Sequence, residues 1–159
     1  MLYQYEKTTV SLYRAIFNSN FQQNMACYLM PDAELANAEA IAPILHPAFE
    51  ITAKPGLPTR PADILPNAAT GEYDPDTGGT SLFERSGVLK TADGDFFIPE
   101  GTDIPPDLKV KQDAYNKRLK ATHYTLMPAK PMFKAVLMGQ LDNFARNAIR
   151  RQVEKSRGF

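Results

Sequence analysis

The stretch Asp76-Thr-Gly-Gly-Thr-Ser-Leu-Phe83 carries the strongest local structural signal in the chain. Two adjacent glycines permit backbone conformations that other residues rarely adopt, and two hydroxyl residues follow them at once. The pattern predicts a tight turn that places Thr80 and Ser81 at a defined position, with the next two residues entering an apolar interior. An ordinary Gly-Gly turn with solvated hydroxyls is the alternative interpretation.

Composition indicates a globular chain around this turn. The 159 residues, of which 43% are hydrophobic and 23% charged, predict a single domain over 1–159. The 18 basic and 18 acidic side chains balance, so no overall charge attracts nucleic acid or an anionic membrane. The N-terminal residues lack a basic region followed by an apolar run, so we expect no signal peptide.

A central strand is predicted over 10–17, which is rich in β-branched and aromatic residues. Both of its alternating faces are mostly apolar, as in a strand with neighbours on both sides. Arg14 is the exception, because a guanidinium is rarely buried without a partner. We expect it to meet either an internal carboxylate or an anionic ligand.

The other predicted elements are joined by long loops. Ahead of a Pro-rich loop over 53–75, we predict a strand over 24–30 and a helix over 33–41 with Asp32 as its N-cap. The loop either covers a pocket or serves only as a linker. Further strands are predicted over 87–90, 95–98, 108–112 and 121–127, the first two forming a hairpin through the turn Asp93-Gly94. A helix is the alternative for 111–120.

The last predicted element is a helix over 132–155 with Pro131 at its start. Apolar residues recur there at spacings of three and four and form a core-facing stripe, which Met138 and Val153 widen. The stripe consists of Phe133, Leu137, Leu141, Phe144, Ala148 and Ile149.

The cysteine and one of the two histidines are predicted to have structural roles. Cys27, between Ala26 and Tyr28, is expected to be buried without a catalytic role, and His46 is expected to pack or cap. His123 lies on the predicted strand over 121–127 and shares a face with Thr125. It is either a structural histidine bonded to a backbone carbonyl or a functional one.

Arg14, the Thr80-Ser81 pair and His123 together resemble the three-strand signature of the ADP-ribosyltransferase fold, whose members bind NAD in a cleft. Several longer segments are similar to the exported effector two family of bacterial type VI secretion, and the match covers nearly the whole chain. These segments are Tyr5-Glu-Lys-Thr8, Leu12-Tyr-Arg-Ala15, the Asp76 turn, 100–113, Ala121-Thr-His-Tyr-Thr125 and 141–151.

The resemblance implies an α+β fold with a split β-sandwich core, flanking helices and a long C-terminal helix. It also implies an NAD-dependent cytotoxin of interbacterial competition, carried by type VI tube or spike components from the producer's cytoplasm to the recipient's cytoplasm. A small helical cognate immunity protein would protect the producer. The target in the recipient is unknown, and no membrane association or metal cofactor is expected.

The residues that the resemblance marks as catalytic are Thr80, Ser81 and His123, and Arg14 matches the first-strand arginine that binds NAD. We expect alanine at each of the three catalytic positions to abolish toxicity without changing the secondary structure. An aromatic platform for nicotinamide is also expected. Its candidates are Tyr13, Phe83 and Tyr124.

One departure from the family pattern keeps several reactions open. Transferases of this fold usually carry a glutamate on the third strand, but this chain has none between Glu100 and Glu154, and His123 stands near that position. ADP-ribosyl transfer, NAD hydrolysis and NAD binding without catalysis are therefore all retained. The alternatives are a ribonuclease-type toxin that pairs His123 with His46 and a non-catalytic inhibitor of an essential partner.

Overall fold

The structure, a computed structural model, describes residues 6–17, 36–37 and 41–158. The predicted strand over 24–30, with Cys27, lies outside these residues, as do Asp32 and most of the helix predicted over 33–41. Five strands and a C-terminal helix are formed by the described chain. They are β1 Leu12–Ile16, β2 Thr80–Phe83, β3 Gly94–Ile98, β4 Leu108–Asn116, β5 Ala121–Pro128 and the helix Lys134–Ser156.

The five strands form one antiparallel sheet in the order β3-β1-β2-β5-β4. β1 lies between β3 and β2, so the predicted central position of the first strand is confirmed. The sheet together with the long helix confirms the α+β class and is consistent with an ADP-ribosyltransferase-like fold.

The two faces of the sheet have different surroundings. The core face carries Leu12, Ile16, Leu82 and Leu126, and it packs in one apolar cluster with side chains of the C-terminal helix. The other face, here called the distal face, carries the residues that alternate with these along each strand. Register places Tyr13 opposite Phe83, Phe83 opposite His123, and Ser81 opposite Thr125, so these five residues share the distal face.

The C-terminal helix confirms the predicted apolar stripe except at its first member. Phe133 is the N-cap and is 58% exposed, because the helix begins at Lys134 rather than at 132. The other five stripe residues are buried. They are Leu137, Leu141, Phe144, Ala148 and Ile149.

The hairpin predicted over 87–98 is wrong. Residues 87–90 form no strand, and β3 pairs instead with β1. The main-chain N–H of Gly87 donates to the Asp95 carboxylate, while Val88 packs against Phe83 and Ala121 in a small apolar cluster on the distal face. This side-chain packing replaces the strand pairing that the Asp93-Gly94 turn signal predicted.

The other two ambiguous regions agree with the main predictions. Residues 108–116 form β4, so the helical alternative for 111–120 is wrong. The segment 53–75 is a loop, held by isolated bridges between Thr52 and Arg60, Ile64 and Gly78, and Tyr73 and Met132. None of the described helices is long and apolar enough to cross a membrane.

Candidate active site

Two close backbone contacts fix the start of β2. Gly78 and Gly79 have φ angles of 122° and 157°, which side-chain-bearing residues rarely adopt. A Cβ atom at Gly78 would lie 2.1 Å from the Asp63 carbonyl oxygen, and one at Gly79 would lie 2.2 Å from the Leu126 carbonyl oxygen. Only glycine fits at both positions, so the turn sets the register of β2 against β5.

The turn directs the two hydroxyls to opposite faces of the sheet. Thr80 is fully buried on the core face, where its Oγ1 donates to the Leu45 carbonyl at 2.6 Å. Ser81 is half-buried on the distal face, opposite Thr125. Successive side chains of a strand point to opposite faces. The prediction that Thr80 and Ser81 lie together at one site is therefore wrong.

His123 lies on the distal face together with Ser81, the other residue on this face that the family resemblance marks as catalytic. Its ring Nδ1 is 2.8 Å from the Asp113 carboxylate oxygen Oδ2, and its ring packs edge-on against Phe83 with centroids 5.4 Å apart. The side chain of His123 is 31% exposed. Among the described residues, no group is hydrogen-bonded to Nε2, which leaves this atom able to bind a ligand.

Asp113 is a member of this cluster that the sequence analysis did not identify. It lies where the register of β4 against β5 shifts between Gln112 and Tyr115, which is a β-bulge. Thr125 Oγ1 donates to the same Asp113 oxygen at 2.5 Å. Aspartate is uncommon within strands, and that rarity is the one sequence signal that points to it.

Asp113 is held in its ionised form. Burial by itself would raise its pKa, but hydrogen bonds from Thr125 and His123 and the positive charges of His123 and Lys111 outweigh burial and lower the pKa below the usual value. The distal face therefore carries a carboxylate that stays charged and accepts from two side chains.

Two of the three predicted aromatic residues lie on the distal face. Phe83 contacts His123, and Tyr13 stacks on Phe97 with ring centroids 5.1 Å apart. Tyr124 is on the core face, as shown by its pairing with Leu82 and by its place in a separate cavity of about 310 Å³ between β5 and residues 6–10. The fold separates it from His123.

Arg14 points into the core face. Its guanidinium donates to the carbonyl oxygens of Ser81 at 3.2 Å and His46 at 3.1 Å. The sequence predicts an internal carboxylate or an anionic ligand as its partner, and the hydrogen bonds go instead to backbone oxygens. Arg14 also lines a cavity of about 310 Å³ with Arg60 and Asp63, here called the Arg14 cavity. Burial lowers the pKa of the guanidinium, Asp63 opposes that effect and Arg60 adds to it.

His46 is on the same side of the sheet as Arg14, not beside His123. Its Nε2 is 2.8 Å from Asp142 Oδ1 on the C-terminal helix, and its ring lies edge-on to Phe49. These contacts are those of a packing histidine. The two imidazoles lie on opposite sides of the sheet, so the fold does not assemble the acid–base pair that a ribonuclease-type mechanism would need.

The described part of the chain contains no group of three or more His, Cys, Asp or Glu side chains that could hold a metal ion. The distal face instead offers an imidazole, a carboxylate, hydroxyls and aromatic rings. This set suits proton transfer and the binding of a flat, polar ligand.

Comparison with known proteins gives two matches. The family model for the Tse2 ADP-ribosyltransferase toxin matches residues 16–153. Toxin Tse2 of Pseudomonas aeruginosa strain PAO1 is 65% identical over 159 residues, which covers the whole of both chains. The chain therefore belongs to the Tse2 family of ADP-ribosyltransferase toxins.

Proposed function

We propose that this toxin breaks the bond between nicotinamide and ribose in NAD and passes ADP-ribose to water or to an acceptor molecule. The family membership supports NAD as the substrate. The observation that carries the proposal is the sharing of one sheet face by His123, Ser81 and the aromatic side chains of Phe83 and Tyr13.

Cleavage of the nicotinamide–ribose bond requires groups of the kind found on the distal face. Positive charge grows on the ribose carbon as nicotinamide leaves, and the attacking hydroxyl must lose a proton. A neutral imidazole at His123 accepts that proton, and Ser81 donates a hydrogen bond to the ribose or to the nicotinamide amide. Phe83 and Tyr13 offer aromatic surface to the nicotinamide ring.

The pyrophosphate of NAD needs a cation, and we compare Arg14 with Lys111 for this task. Arg14 remains the one that the family resemblance implies, but its guanidinium lies in the Arg14 cavity on the core face. Lys111 pairs with Thr125 across β4 and β5 and so lies on the distal face, where its charge acts on Asp113. Its Nζ lies 3.7 Å from Asp76 Oδ1, an exposed ion pair that a bound pyrophosphate would replace. We assign the pyrophosphate to Lys111, since it shares the face of the reacting groups, and we give Thr80 and Arg14 the task of holding β2 in place.

The biological setting is proposed from the family. The toxin acts in the cytoplasm of a recipient bacterium, and type VI secretion tube or spike components deliver it there from the producer. A small helical cognate immunity protein neutralises it in the producer. The molecule that receives ADP-ribose, if it is not water, belongs to the recipient cell.

The test is nicotinamide release from NAD by the purified protein, followed by chromatography with and without a bacterial lysate. We expect release by the wild type and at least about a 100-fold loss in His123→Ala and Ser81→Ala. Release that requires lysate would indicate transfer to an acceptor, and release without it would indicate hydrolysis.

A matched control is Ser86→Ala, which makes the same change at an exposed position near the end of β2. It should release nicotinamide at the wild-type rate. If the wild type releases none while it still arrests growth, the NAD proposal is wrong. RNA breakdown in arrested cells would then favour a ribonuclease that does not use the His123–His46 pair. Growth arrest that survives His123→Ala would favour the non-catalytic inhibitor.

A further inference from the structure

We infer that Asp113 is the positioning residue of His123, fixing the proton on ring Nδ1 and leaving the Nε2 lone pair to act on the substrate. The reaction in which Nε2 takes part is that of the proposed function, and this part of the inference rests on it. The orientation of the ring is inferred independently, from contacts within this chain.

The contact between the two side chains defines the tautomer. An ionised carboxylate can only accept hydrogen bonds, and Asp113 Oδ2 lies 2.8 Å from Nδ1 of His123. Nδ1 must therefore carry the proton in the neutral ring. The lone pair of the neutral imidazole is then on Nε2, the atom that no described residue contacts by a hydrogen bond.

Thr125 holds the carboxylate in turn. Its Oγ1 donates to the same Asp113 oxygen at 2.5 Å, and it lies two residues from His123 on the same strand and face. The carboxylate is thus bound by two side chains of one strand. This restricts its rotation and, with it, the rotation of the imidazole ring.

The bulge in β4 explains how Asp113 reaches this place. Residues Lys111 and Gln112 pair regularly with Thr125 and Tyr124, and pairing resumes at Tyr115 opposite Thr122. The residues between are displaced from the regular ladder, and a bulge of this kind re-aims a side chain. The irregularity therefore has a chemical result, which is a carboxylate directed at His123.

Asp113 also stabilises the charge that forms during the reaction. Nicotinamide leaves with the electron pair of the carbon–nitrogen bond, and a new carbon–oxygen bond forms to water or an acceptor hydroxyl. The hydroxyl proton moves to Nε2, and His123 becomes an imidazolium beside the ionised Asp113. Asp113 thus supplies a carboxylate in place of the missing third-strand glutamate, but it acts through the imidazole of His123.

The test combines ring spectroscopy with growth arrest. In Asp113→Ala, nitrogen-15 correlation spectra of the neutral His123 ring should show a shift from the Nδ1–H form toward the Nε2–H form, which a histidine side chain favours when no acceptor holds the proton on Nδ1. Growth arrest and nicotinamide release should both fall at least about 100-fold, as when the carboxylate of a His–Asp pair is removed. Thr125→Val should show a smaller change of the same kind, about three- to tenfold, as for the loss of one hydrogen bond.

Asp107→Ala is the matched control. Asp107 forms an ion pair with Lys130 at 3.2 Å, and its side chain is 29% exposed, against 31% for Asp113. It should leave the His123 spectrum and the toxicity unchanged. An unaltered tautomer together with full toxicity in Asp113→Ala would overturn the inference. If wild-type protein releases no nicotinamide, the NAD reaction fails as a proposal, while the tautomer and growth arrest still decide the role of Asp113.

Discussion

The two faces of the sheet use polar side chains in different ways. On the core face, Thr80 and Arg14 donate to main-chain carbonyls of residues 45, 46 and 81. On the distal face, His123 and Thr125 both bind Asp113, and among the described residues nothing is hydrogen-bonded to the second ring nitrogen of His123. A buried polar residue bonded to backbone holds loops in place, whereas a half-buried cluster of side chains can meet a ligand. The contrast separates two residues that are adjacent in sequence, Thr80 and Ser81.

The strongest way to break this contrast is to displace β2. We expect Gly79→Ala to destabilise the fold by on the order of 3 kcal/mol or more, because its Cβ would clash with the Leu126 carbonyl and its φ of 157° is unfavourable. Chemical denaturation of the purified protein would measure the loss. Both faces should lose their arrangement together, so toxicity should disappear with stability.

Gly139→Ala is the control for this prediction. Gly139 is in the C-terminal helix, and a Cβ atom there would meet nothing within 4 Å beyond the backbone of the helix itself. Alanine there should stabilise the protein by about 0.5–1 kcal/mol, since glycine is unfavourable within a helix. A similar loss of stability in both variants would show that the close approach of Gly79 to the Leu126 carbonyl does not determine the stability of the fold.

The neighbours Thr80 and Ser81 sharpen the contrast. Thr80→Val keeps the shape of the side chain but leaves the buried Leu45 carbonyl without its donor, so we expect a loss of about 1–3 kcal/mol. Ser81→Ala should change stability by no more than about 0.5 kcal/mol yet abolish nicotinamide release. Thermal melting and the release assay, run on both variants, distinguish the two roles. Equal loss of stability in both would contradict the assignment of the two side chains to opposite faces.

The smallest expected effect concerns the pH dependence of stability. Asp113 has a folded-state pKa below its unfolded value of about 3.9, so its contribution to stability is complete above that pH. The contribution is lost as the pH falls through the lower, folded-state pKa. We therefore expect the stability difference between wild type and Asp113→Ala to be fully present near pH 5 and to shrink below about pH 4.

Partial exposure limits this difference to under about 1 kcal/mol. Thermal melts of both proteins from pH 3 to pH 6 would measure it. A difference that grows as the pH falls would mean that Asp113 is not held in its ionised form in the folded protein.

The elements with strong periodic patterns could be predicted from the sequence. β1 lies within a stretch, 10–17, that is rich in β-branched and aromatic residues, and the C-terminal helix carries an apolar stripe, so local residues determine both. β3 forms as predicted, but its partner is β1, which is distant in the chain, and the Asp93-Gly94 turn signal gives no information about that partner. The predicted hairpin failed for this reason.

The candidate site could be predicted only in part. Ser81 and His123 do share a face, but Thr80 and Tyr124 do not join them, although alternation along a strand is a simple rule. Leu82 follows Thr80 on one face and Phe83 follows Ser81 on the other. Each face of β2 therefore carries an apolar residue, and the sequence does not indicate which face is buried in the core. Asp113 was missed because a bulge has no local sequence pattern.

The strand order also governs when the site can exist during synthesis. β1 is made first, but both of its neighbours, β2 and β3, come from the middle of the chain. Pairings between distant segments form slowly because a long loop must close before they contribute stability. Ribosomes add about 5–20 residues per second, so β1 waits several seconds for its partners, and His123 on β5 emerges later still. A growing chain therefore has no assembled distal face until most of it has left the ribosome, which leaves the producing cell an interval before the toxin becomes active.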